Sequence, residues 1–159
     1  MKQISLITFF MVYLSLSAFA SEPGTMQPKE PTEKDKCPVC GMFVKEYTEW
    51  MAQIAFSDIT YFFDGAKDMF RFYLDVPKYA PQKKAGDIKA IYVKDYYNVK
   101  FIDAAKAFYI IGSDVMGPMG KELIPFEKEA DAQGFLKDHK GEKILQFKDI
   151  TAETIKQLQ

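Results

Sequence analysis

Histidine occurs once in this chain of 159 residues, at position 139, and cysteine only twice, at 37 and 40. These scarcities exclude several kinds of metal chemistry. A blue-copper site needs two histidines beside its cysteine. A closed zinc site built from Cys and His needs a second ligand pair that the sequence does not contain. A c-type haem site needs histidine directly after the second cysteine, and Gly41 stands there. Charge of one sign is lacking too: 21 Lys and Arg against 22 Asp and Glu leave a net charge of -1, so no basic footprint argues for nucleic acid or an anionic membrane surface. What is present, 48% hydrophobic, 15% aromatic and 27% charged residues, suits one folded domain with a real core.

The first stretch is set apart from that domain. Lys2 gives a positive end, Ile4 to Leu16 an apolar run, and Ala18-Phe19-Ala20 a small-residue cleavage pattern, so residues 1–20 read as a secretory signal. The run is shorter than the roughly 20 apolar residues of a spanning helix. A mature chain starting at Ser21 is expected in an exported, thiol-oxidising compartment, and with no cysteine near the cleavage point it is expected to lack a lipid anchor. Residues 21–36 are rich in Pro, Glu and Lys, bury too little to offset the entropy of ordering, and are expected to form a disordered linker, with Met26 solvated.

Beyond Trp50 the pattern is α+β, and it reads the same way twice. Met51 to Asp58 matches Ala107 to Asp114, each an apolar strand closing on Ser-Asp. At a constant offset of 63 residues, Thr60 to Asp75 matches Leu123 to Asp138: a short strand, an acidic residue (Asp64, Glu127) and a helix with apolar positions at helical spacing. Gly86 to Asp95 then matches Gly141 to Asp149 as a closing strand. Two strand-strand-helix-strand units of this size cannot hide their apolar faces alone, so they are expected to pack as pseudo-repeats into one domain. Residues 75–90 are expected to be a loop with solvated lysines and residues 96–103 a connection. Thr151 is expected to cap a short terminal helix.

The halves differ where the second inserts Val115 to Lys121, Val-Met-Gly-Pro-Met-Gly-Lys. Met116 and Met119 there either fold back on the core, as methionine commonly does, or stand exposed as soft ligands. The two cysteines lie in Cys37-Pro38-Val39-Cys40-Gly41-Met42, where three soft donors crowd into six residues. A dithiol oxidoreductase would put such a pair after a buried strand at a helix N-terminus, whereas a charged tether precedes it here. A small disulfide would stabilise little. Soft-metal binding is the third reading, because thiolate and thioether select Cu(I) over Zn, Mg or Ca. His139, at the end of the second helix, has an ordinary role at a helix C-terminus.

Cys40-Gly41-Met42 after an exported leader, Phe108 to Ser113, Gly117-Pro118-Met119-Gly120 and Leu123-Ile124-Pro125-Phe126 together resemble the NosL family, accessory proteins of nitrous oxide reductase maturation. The resemblance implies that residues 37–159 form a copper-binding domain of a non-enzymatic periplasmic Cu(I) chaperone. It implies delivery of copper towards the reductase's copper-sulfide centre through an ABC-type membrane complex and its periplasmic subunit, with neither nucleic acid nor a small-molecule substrate as partner. Residue by residue, Cys40, Met42 and Met119 match the family's ligands, and Cys37 and Met116 lie beside that motif as auxiliary donors. The alternative from another class is an exported dithiol/disulfide oxidoreductase using Cys37 and Cys40.

Overall fold

Short apolar segments bounded by Ser, Asp, Gly and Pro form short antiparallel strands. The computed structural model describes residues 26–159, so the expected signal segment lies outside the described residues. In the first half, β1 (Ala52–Ala55), β2 (Thr60–Phe63), α1 (Ala66–Leu74), α2 (Val76–Tyr79), β3 (Ala90–Lys94) and β4 (Phe101–Asp103) follow in order. Their strands form an antiparallel sheet ordered β2-β1-β3-β4. In the second half come β5 (Phe108–Ile111), β6 (Met116–Gly117), β7 (Gly120–Lys121), β8 (Ile124–Phe126), α3 (Glu129–Asp138), β9 (Lys143–Gln146) and α4 (Ala152–Gln157). The second sheet is ordered β8-β5-β9, and β6 with β7 makes a separate hairpin. β1 lies between β2 and β3 in the first sheet, and β5 lies between β8 and β9 in the second. Pro125, which cannot donate to a ladder, sits on the edge strand β8.

Side-chain alternation along β5 divides the interior in two. Tyr109 and Ile111 join the larger apolar cluster, whereas Ile110 faces a smaller one with Ile124, Phe126, Ala132 and Phe135. Helix α1 lies in the larger cluster and is covered on several sides: Phe72 meets Phe63 edge-on at 5.3 Å, and Phe70 meets Tyr109 edge-on at 5.2 Å. It therefore joins the two sheets. Truncating a ring such as Phe70 to alanine would cost about 3–5 kcal/mol.

Three expectations change in detail. Residues 26–36, read as part of a disordered linker, are laid along the sheet because Gln53, buried in β1, offers its side-chain amide to their backbone. Lys29 N–H donates to Gln53 Oε1 at 2.9 Å, and Gln53 Nε2 donates to Lys29 O at 3.1 Å. Tyr92, the cross-strand partner of Gln53, reaches Met26 O at 2.5 Å from the same face. The connection 96–103 supplies strand β4, and the loop 75–90 contains α2 and a Lys83–Asp58 ion pair at 2.6 Å. The terminal helix is as expected, with Thr151 Oγ1 accepting from Thr154 N–H at 3.3 Å. His139 ends α3, stacked 4.3 Å from Phe135 with Nδ1 3.2 Å from Asp114 Oδ1, which is a structural role.

Candidate metal centre

The cysteines sit on a tight knuckle whose flanks are tied together. Lys36 and Phe43 form an antiparallel bridge, Cys37 N–H donates to Met42 O at 2.9 Å, and Gly41 N–H donates to Cys37 O at 2.9 Å. Closing so short a loop needs the left-handed φ of 81° at Gly41, which a side chain would strain. The chain then leaves Val44 in the core and enters β1.

Facing the knuckle is the N-terminal turn of α1. Asp64 directly precedes the extended N-cap Gly65, and Asp68 lies in the first turn of α1. Both are 1% exposed, as is Cys37, while Cys40 is half-buried. The Cys40 thiol donates to Asp64 Oδ1 at 3.2 Å, and the Cys37 thiol to Asp68 Oδ2 at 3.5 Å. One donor atom from each of the four lies within 4.8 Å of every other. Burial drives the Cys37 thiol far above the usual range, and Asp64 and Asp68 add to the effect. Burial likewise pushes Cys40 up to about 12. Both thiols therefore keep their protons at neutral pH, and a metal entering here must displace them. Arg71 Nη1 holds the other oxygen of Asp68 at 2.9 Å.

The methionine hairpin is seated on the same turn. Pro118 and Met119 span the tip between the paired Gly117 and Gly120, and Gly120 takes a φ of 81°. The Lys67 ammonium is buried and reaches Met119 O at 2.8 Å, Lys121 O at 2.6 Å and Leu158 O at 3.3 Å. Glu122 completes the junction. Gly65, the N-cap, has no side chain to satisfy the helix start, and Glu122 Oε1 accepts from Lys67 N–H at 2.6 Å and from its neighbour Leu123 N–H at 2.8 Å. A Cβ on Gly65 would run into the Glu122 carboxylate, and one on Gly117 would stand 3.0 Å from its Cγ. Burial raises this carboxyl to about 7.

The structure thus brings Cys37 and Cys40 together with two carboxylates, holds Met42 in the same knuckle, and seats the Met119 loop one residue from Asp68 along α1. Met116 and Met119 are 55% and 43% exposed, so they are not core filler. Met116 lies at the outer end of the hairpin, opposite Lys121. Asp68, Lys67 and Glu122 were not singled out by sequence, and Asp64 only as a helix-start acid. The available signal was the Asp-x3-Asp spacing at a predicted helix start and a lysine embedded among Ala66, Met69 and Phe70.

The sequence model of the NosL family matches residues 28–155. The copper-binding lipoprotein NosL of Stutzerimonas stutzeri is 26% identical over 151 residues, which cover 88% of this chain and 76% of the relative. The crystal structure of the copper chaperone NosL from Shewanella denitrificans superposes with a TM-score of 0.68 at 27% identity, covering 82% of this chain and 99% of that one. A solution structure of apo-NosL from Achromobacter cycloclastes is 30% identical, with a TM-score of 0.47 over 65% of this chain and 87% of its own. With a match over most of its length, this chain belongs to the NosL family.

Proposed function

We propose that this chain is an exported, non-enzymatic carrier of Cu(I) that supplies copper for maturation of the copper-sulfide centre of nitrous oxide reductase. The observation that carries the reading is the seating of the cysteine knuckle and the methionine hairpin on one helical turn, in a chain whose relatives are named copper-binding and copper chaperone proteins. Cys40, Met42 and Met119 hold the ion, with Cys37 and Met116 as auxiliary donors. Cys40 gives up its proton as copper enters. The thioethers need no deprotonation, and their softness suits Cu(I). A low-coordinate ion beside an exposed Met119 leaves an approach open, so an acceptor's ligand replaces the thioether first and copper passes by ligand exchange.

The recipients are the ABC-type membrane complex of reductase maturation and its periplasmic subunit. Export with cleavage before Ser21 completes the reading; among the described residues no helix is long and apolar enough to cross a membrane. Against the dithiol enzyme stand the two raised thiol pKa values, because such enzymes depend on an available thiolate.

The test is anaerobic Cu(I) titration of the reduced protein beginning at Ser21 against a competing chelator. One ion per chain is expected, with transfer to the recipient slowed in Met119→Ala. Multiple turnover of a dithiol substrate by the metal-free protein, abolished in Cys37→Ser, would favour the enzyme instead.

A further inference from the structure

At the other end of β8 from the methionine hairpin, the turn from β3 to β4 carries two exposed apolar side chains on a strained backbone. Tyr97 is 50% exposed and Val99 45%, and Val99 takes a left-handed φ of 52°. A β-branched residue is an outlier in that region, where Gly or Asn would be the unstrained choice. Asp95 imposes the conformation. It is fully buried, and its Oδ1 accepts from Asn98 N–H at 2.7 Å and Asn98 Nδ2 at 2.8 Å, its Oδ2 from Glu127 N–H at 2.7 Å. Val99 N–H returns to Asp95 O, and Tyr96 N–H reaches Pro125 O, each at 2.9 Å. The tip is thus tied to the second sheet and held in one shape before any partner arrives, which lowers the entropic cost of binding.

We propose that this tip is a docking surface for another protein, and that it receives an arginine-bearing segment of that partner. The inference does not rest on the copper reading.

Charge selects the occupant. Tyr97 packs on Phe126 at 5.2 Å and Phe135 at 6.3 Å. On α3, Asp131 and Asp138 lie four residues before and three after Phe135, so all three share one stripe of the helix. Partial burial, with Asp138 and Asp131 nearby, raises the Tyr97 phenol, which puts both carboxylates within electrostatic reach of its ring. Among the described residues neither carboxylate forms an ion pair, and the cation on the tip, Lys100, is engaged by Glu127 at 2.6 Å. Tyr96 carries the aromatic surface on from Tyr97 to Trp50, with ring centroids 5.7 Å apart at each step. Beside Trp50 is a hollow of about 300 Å3 lined by Glu46 and Glu49. A guanidinium at the Tyr97 ring would meet a π surface and two unpaired carboxylates together. A lysine ammonium matches planar carboxylate and ring less well, and an anion is repelled. Exposed tyrosine over a buried aromatic base is also the composition of an interface hot spot.

The probe is acetyl-tetraarginine amide, titrated into the reduced, metal-free protein beginning at Ser21 and followed by backbone amide shifts, with tetralysine and tetraglutamate peptides as comparisons. Shifts are expected to centre on residues 95–100, Asp131 and Asp138, with tetraarginine binding more tightly than tetralysine and tetraglutamate not binding. Tyr97→Ala should weaken tetraarginine about tenfold. Asp131→Asn with Asp138→Asn, which leaves the packing intact, should weaken it and reduce its salt dependence. Val99→Asn should hold or raise the melting temperature while weakening binding, because the strain is relieved and the apolar contact is lost. Shifts scattered over all surface carboxylates, or tetraarginine affinity unchanged in Tyr97→Ala, would overturn the inference. Concentration-dependent shifts at the tip without peptide would also overturn it, by assigning the surface to a second copy of the chain.

Discussion

Each proposed donor should matter unequally, because Cys40 is the anionic one and the thioethers are neutral. Cys40→Ser is expected to weaken Cu(I) binding most, Met42→Ala and Met119→Ala less, and His139→Ala hardly at all, as read by chelator competition. Ligands of one ion should also couple, by about 0.5–3 kcal/mol in a double-mutant cycle of Met42 and Met119. Strict additivity would mean the two thioethers do not share an ion. Glu122 makes a separate prediction. Its folded pKa, about 7, lies above its ordinary 4.5, so its contribution to stability is fully present below about 4.5 and is lost as pH rises through 7. Stability should fall between pH 5 and pH 8 by up to roughly 3 kcal/mol, read as a lower melting temperature, and Glu122→Gln should flatten that slope. The donors were legible in sequence because cysteine is rare and clusters there. Asp68, Lys67 and Glu122 were not, because common residue types acquire their role from contacts up to 91 residues away.

Among the elements, the hairpin β6–β7 depends on one buried ammonium. Lys67→Met would leave three carbonyls without their donor and should cost about 2–4 kcal/mol. Hydrogen exchange should then quicken selectively across residues 116–121. The segment before the knuckle hangs on a side-chain amide in the same manner. Gln53→Ala is expected to expose residues 26–31 to limited proteolysis while the knuckle stays resistant, since Lys36 and Phe43 close the latter independently. Periodicity revealed the longer strands and both principal helices. It missed β4, where three residues become a strand only because β3 offers a free edge, and it missed the ordering of residues 26–36, whose backbone finds its partner in a glutamine that pattern alone counts as polar.

At the scale of the molecule, a metal that binds only the folded chain raises its stability by mass action. Cu(I) at one hundred times its dissociation constant should add about 2.7 kcal/mol and several degrees to the melting temperature, and a chelator should remove that gain. The seating of everything on the first turn of α1 also fixes when the site comes into being. Its contacts close loops of 24 residues from Cys40 to Asp64, 52 from Lys67 to Met119 and 91 from Lys67 to Leu158. Contacts of such separation form slowly in a folding chain. A refolding chain would therefore gain full copper affinity together with the burial of Phe70 and the docking of α4, and a partly folded one would offer copper only its isolated cysteine knuckle.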